Sequence, residues 1–114
     1  MQADYTAAPY DVKMTQGDTL TETFVFRDED GGLLGLGGYT FLSQIRQTAA
    51  GTAIAQFTIT VDTDTSTVVR SLGTAITAGL SGRYVHDLQW TDPSSNVRTL
   101  IAGEFEVVAE VTRA

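Results

Sequence analysis

Apolar and polar residues alternate along most of this chain, and that alternation limits it to β-strands with one buried face. Leu20, Phe24 and Phe26 alternate with Thr21, Thr23 and Val25. Ala53, Ala55, Phe57, Ile59 and Val61 alternate with Ile54, Gln56, Thr58 and Thr60. Phe105, Val107, Ala109 and Val111 alternate with Glu104, Glu106, Val108 and Glu110. A period of two puts successive side chains on opposite faces of a pleated strand. Eighteen threonines and many valines and isoleucines suit such strands, and eleven glycines suit the turns between them.

Seven strands are predicted, at 10–15, 18–27, 39–46, 53–61, 66–71, 83–91 and 98–112. Turns fall at Gln16-Gly17-Asp18, Asp28-Glu29-Asp30-Gly31-Gly32, Asp62-Thr63-Asp64-Thr65 and Asp92-Pro93-Ser94-Ser95-Asn96, where proline suits the first central turn position. Residues 73–80 break the pattern and read as one helical turn or a compact loop. Thr74 is the expected cap, with Ile76 and Leu80 on one face plugging the end of the fold. This spacing indicates an all-β antiparallel sandwich of about seven strands with one short helical turn. Residues 10–114 form the sandwich domain. Residues 1–9, small and polar up to Pro9, form an N-terminal arm that could order on a neighbour.

The 114 residues fit one domain, and no cysteine is present for a disulfide, a thiolate metal site or a thiol nucleophile. A cysteine-free chain fits assembly in a reducing cytoplasm. The net charge is −7, with Lys13 and six scattered arginines. Nucleic acid and anionic membranes are bound through clustered cations, so neither is an expected partner. The first residues, Met1-Gln2-Ala3-Asp4-Tyr5, lack the basic start and apolar run of a signal peptide, and no apolar run is long enough to cross a bilayer.

Sites of chemistry are scarce. His86 is the one histidine. Asp87 is adjacent to it, so in a regular strand the two side chains point to opposite faces and cannot form a catalytic pair. A hydrogen-bonded histidine at the edge of the core is the reading we adopt. None of the six serines sits in a G-x-S-x-G elbow. The turns at Asp28 and Asp62 superficially resemble calcium loops. The Asp62 turn lacks the glycine at loop position six and has Gly73 where the helical calcium hand needs glutamate. Neither turn is flanked by helices, so solvated turn carboxylates are expected, with a weak calcium site as the alternative. No metal or cofactor is expected. The glycine-rich run 31–38 leads into a strand, not a helix, and so cannot cradle a phosphate. It reads as a crossover with Leu33 and Leu36 tucked inward or, alternatively, as a contact loop offering Leu33, Leu34 and Leu36 to a partner. Trp90, Tyr84, Tyr39, Phe41 and Phe24 read as core. Tyr84, after Leu80-Ser81-Gly82-Arg83, has the placement of a tyrosine corner. Trp90 and Tyr84 are thus assigned structural roles. Tyr5 and Tyr10 remain as candidate contacts.

One ordered set of segments carries a resemblance. Gly17-Asp18-Thr19-Leu20 opens the second strand and Asp30-Gly31-Gly32 closes that hairpin. Gly38-Tyr39-Thr40-Phe41 leads into Gln44-Ile45-Arg46, and Ala55-Gln56-Phe57-Thr58 follows. Gly82-Arg83-Tyr84-Val85-His86-Asp87-Leu88-Gln89 and Thr99-Leu100-Ile101-Ala102-Gly103-Glu104-Phe105 complete the set. In order and spacing it resembles the small immunoglobulin-like domains of tailed-phage and prophage virion proteins, related to the N-terminal domain of phage baseplate upper proteins. The resemblance covers about residues 10 to 113. Its most specific pieces are Gln44-Ile45-Arg46 and Gly82-x-Tyr84-x-x-Asp87-Leu88.

The resemblance implies a non-enzymatic virion structural protein with no catalytic residues to carry over. Baseplate upper proteins continue into a long partner-binding region, whereas this sequence ends at Ala114. The expectation is a small tail-, baseplate- or fibre-associated adaptor, assembled in the host cytoplasm and acting through protein–protein contacts as a homo-oligomer in the particle. A capsid decoration protein bound to the major capsid protein is the alternative, and a host-surface or carbohydrate-binding module a further one.

Overall fold

The computed structural model describes residues 6–111, and within them the fold is all-β. Its strands are β1 (Ala8–Pro9), β2 (Val12–Thr15), β3 (Leu20–Val25), β4 (Thr40–Leu42), β5 (Gln44–Arg46), β6 (Ala53–Gln56), β7 (Thr58–Asp62), β8 (Thr67–Leu72), β9 (Gly82–Thr91) and β10 (Val97–Val108). One short helix, α1 (Thr74–Thr77), joins β8 to β9.

The larger sheet runs β1-β10-β9-β5-β6, with β2 also on β10 and β4 also on β9. The smaller runs β3-β8-β7. Pairing is antiparallel except where β1 and β2 lie parallel to β10. Residues from both sheets share one core: Met14, Ile45, Phe57, Leu72, Leu80, Tyr84, Phe105 and Val107, with Leu20 and Ile59 packed against it. Alternation along β9 produces this directly, since Tyr84, His86 and Leu88 are buried while Val85 and Asp87 are not.

Two predicted strands are each split by one residue. Ser43 separates β4 from β5, and Phe57 separates β6 from β7. The second break carries the chain from the larger sheet to the smaller one. The two breaks meet, because the Phe57 N–H donates to the Ser43 carbonyl at 2.9 Å. Pairing patterns alone carry no trace of such a switch, because alternation runs through both breaks. The strand predicted over 98–112 ends at Val108. Its parallel partner β2 ends there too, with Thr15 opposite Val108.

The loop before α1 also departs from expectation. The N-cap is Gly73, with no side-chain cap, and Thr74 is the first helical residue. Thr77 and Leu80 are buried, whereas Ile76 is 40% exposed. Thr77 holds the turn by donating to the Asp18 carbonyl at 2.7 Å. At the other end of the chain, Ala8 and Pro9, assigned by pattern to the arm, pair with Ile101 and Ala102. They can do so because Gly103 has no side chain: a Cβ there would lie 2.2 Å from the Tyr10 carbonyl oxygen.

Candidate functional site

The most distinctive chemistry lies between the sheets. Arg70, on β8, is fully buried. An unpaired buried charge would cost several kcal/mol. Here Nε donates to Glu22 Oε1 at 2.8 Å, and Nη1 donates to Ser43 Oγ at 3.1 Å. Nη2 lies 2.7 Å from the same Glu22 oxygen. It is out of line for a hydrogen bond, so this contact is an ion pair only. The guanidinium also lies over the Phe57 ring, 4.3 Å from its centroid. Arg70 thus sits where the two strand breaks converge.

The network continues into the larger sheet. Arg70 Nη1 lies 3.0 Å from His86 Nδ1. Arginine has no acceptor, so Nδ1 is the acceptor and the imidazole proton is on Nε2. Nε2 donates to the Tyr10 carbonyl at 2.6 Å. Burial, above all, lowers the His86 pKa below its ordinary value; the Tyr10 carbonyl opposes this and the Arg70 charge adds to it. The Tyr10 hydroxyl donates to Glu22 Oε2 and closes the circuit. That bond, first, and burial raise the Tyr10 pKa. Ser43 Oγ in turn donates a hydrogen bond to the Asp87 carbonyl. The arrangement joins β3, β8, the Ser43 break, β9 and the segment between β1 and β2. His86 Nδ1, the nitrogen a general base would use, is occupied by a cation.

Sequence reasoning missed Glu22 and Arg70. The signal was available: Glu22 shares the face of Leu20 and Phe24, and Arg70 that of Val68 and Leu72. They are cross-strand partners of opposite charge, both on inward positions.

The candidate contact residues differ in exposure. Tyr5 lies outside the described residues. Tyr10 is half-buried, its hydroxyl committed to Glu22 and its ring packed edge-on to Phe24. Leu33 is 48% exposed, Leu34 is half-buried and Leu36 is 1% exposed. Leu36 is therefore withdrawn as a surface contact, since it fills the interior. The loop is pinned at Leu34, whose N–H donates to the Phe26 carbonyl and whose carbonyl accepts from buried Ser66. Tyr84 Oη donates to the Ser81 carbonyl and accepts from its N–H, both at 2.9 Å. Trp90 is half-buried among Phe26, Tyr39 and Phe41.

The turn carboxylates cap their own backbones. Asp28 accepts from the N–H groups of Asp30 and Gly32. Asp62 accepts from those of Asp64 and Thr65. Among the described residues no three metal-ligating side chains cluster. On the outer face of the larger sheet, Gln44, Arg46, Val85, Asp87 and Ala102 line a depression of about 370 Å³. Arg46 is occupied there by Gln44 and by the Gly51 carbonyl.

No protein-family model matches the chain, and no curated protein compared with it is similar in sequence.

Proposed function

We propose that this chain is an immunoglobulin-like sandwich serving as a non-enzymatic structural subunit of a tailed-phage particle, associated with the tail, baseplate or a fibre. The fold reading draws on the strand orders β3-β8-β7 and β5-β9-β10, which parallel the B-E-D and C-F-G layouts of such sandwiches. It draws also on the Tyr84 hydroxyl anchored to Ser81 ahead of its strand. The observation that carries the functional reading is the circuit of Arg70, Glu22, Ser43, His86 and Tyr10. These reactive side chains bind one another and clamp the sheets together. Function then falls to the surface, through complementarity with other virion proteins and further copies of the chain. The phage assignment itself comes from the ordered resemblance described above.

Mass spectrometry of purified virions, with heads and tails separated, tests the proposal. Detection in tails at baseplate copy number supports it. Detection in heads at hundreds of copies would instead make the chain a decoration protein. Absence from both fractions would overturn the virion reading.

A further inference from the structure

Sheet edges offer unpaired N–H and C=O groups, and proteins guard them with charge, proline or a covering segment. This fold guards most of its edges. The β1–β2 side carries Pro9, Asp11 and Lys13. The β3 edge carries an inward-pointing charge, Glu22, in the middle of the strand. The edge formed by β6 and β7 has no such guard. Among the described residues, β6 pairs only with β5 and β7 only with β8. Residues 53–61, Ala-Ile-Ala-Gln-Phe-Thr-Ile-Thr-Val, contain no charge and no proline. Ile54 and Val61, 47% and 36% exposed, both lie on this edge.

We propose that β7 pairs antiparallel with β7 of a second copy, about a two-fold axis at Thr60, merging two three-stranded sheets into one of six strands. The lack of charge on this edge permits a copy of this chain as the partner. Two chains of net charge −7 repel over most of their surfaces, and this edge is free of charge up to Asp62. The strand is also complementary to itself. The axis places Thr60 opposite Thr60, Ile59 opposite Val61 and Thr58 opposite Asp62. Ile59 and Val61 share the inward face, so each pair extends the core row and covers the exposed valine. Thr58, Thr60 and Asp62 share the outward face, where threonine–threonine pairs are favourable across strands. The two Asp62 carboxylates fall at opposite ends of the ladder, each held by its own turn. The inference deepens the oligomer reading above. Its test uses purified protein in solution, so its failure leaves the virion reading to be decided by particle fractionation.

Sedimentation equilibrium of the full chain is expected to show a monomer–dimer equilibrium, with dissociation in the micromolar to sub-millimolar range for so small a contact. Thr60→Lys sets two ammonium groups face to face and is expected to weaken dimerisation at least about tenfold. Ile54→Lys, on β6, leaves it unchanged. Thr60→Cys introduces a single thiol into a cysteine-free chain. Paired Cα atoms at the axis would be roughly 4.5–5.5 Å apart, within disulfide reach. Oxidation should therefore give a covalent dimer, and Thr21→Cys, facing the same way from β3, should not. A chain that stays monomeric to about 1 mM overturns the proposal. So does a dimer insensitive to Thr60→Lys, or Thr60→Cys that oxidises no faster than Thr21→Cys.

Discussion

Replacing Glu22 by leucine removes the carboxylate that neutralises Arg70, and the structure sets the size of the effect. The Arg70 side chain is completely buried and that of Glu22 is 15% exposed. Removing one partner of a buried ion pair costs about 3–5 kcal/mol, because a charge remains in the interior without compensation. Water reaches one edge of Glu22, which places the expected loss near the lower end, about 3 kcal/mol. Urea unfolding measures it: with a slope of about 1.5 kcal/mol per molar, the midpoint should fall by about 2 M. The double variant Glu22→Leu/Arg70→Met removes both charges. It leaves His86 Nδ1 without its donor, a penalty of about 1–2 kcal/mol. The double variant should therefore be more stable than Glu22→Leu alone. A loss below about 1 kcal/mol for Glu22→Leu, or a double variant as unstable as the two single changes added together, would refute the reading of this cluster as a paired clamp.

Further expectations follow from neighbouring features. Because the folded chain disfavours the His86 cation, stability should be full above pH 6.5, the ordinary value, and decline as pH falls below it. The slope from this group cannot exceed about 1.4 kcal/mol per pH unit, and urea midpoints between pH 8 and 5 should lose this component in His86→Gln. Tyr10 has the opposite sense: its raised pKa makes stability fall as pH rises above 10.0, which Tyr10→Phe should abolish in the same assay. Tyr84→Phe removes both bonds to Ser81 and should cost about 1–2 kcal/mol by denaturant unfolding. Leu36→Ala should cost about 2–5 kcal/mol and Leu33→Ala under about 0.5 kcal/mol, which separates the buried leucine of the glycine-rich loop from the exposed one. Gly103→Ala drives a Cβ into the Tyr10 backbone, so hydrogen exchange across β1 and β2 should accelerate.

The strands were legible because each carries its own period. Gly82 to Thr91 shows the burial that alternation demands, and the turns at Asp28, Asp62 and Asp92 form where short acceptor side chains reach backbone N–H groups. What stayed hidden depends on relations between distant residues. Nothing local at Phe57 marks a change of sheet, since the switch rests on its bond to Ser43. The interior circuit was hidden by an assumption that inward positions are apolar. Glu22 and Arg70 keep the period while breaking the hydropathy, and only their cross-strand register makes them a pair. His86 was placed on the inward face from sequence, but its partners on β8 and beside β2 are set by tertiary packing. The Thr74 cap failed because Gly73 occupies the extended N-cap position and the helix is held from outside, by the bond from Thr77 to Asp18.

The central functional claim is most directly tested by immunogold electron microscopy of intact particles with antibody raised against this chain. The account predicts label at the tail or baseplate of most particles; unlabelled particles, with the protein recovered only from the particle-free lysate, would contradict it.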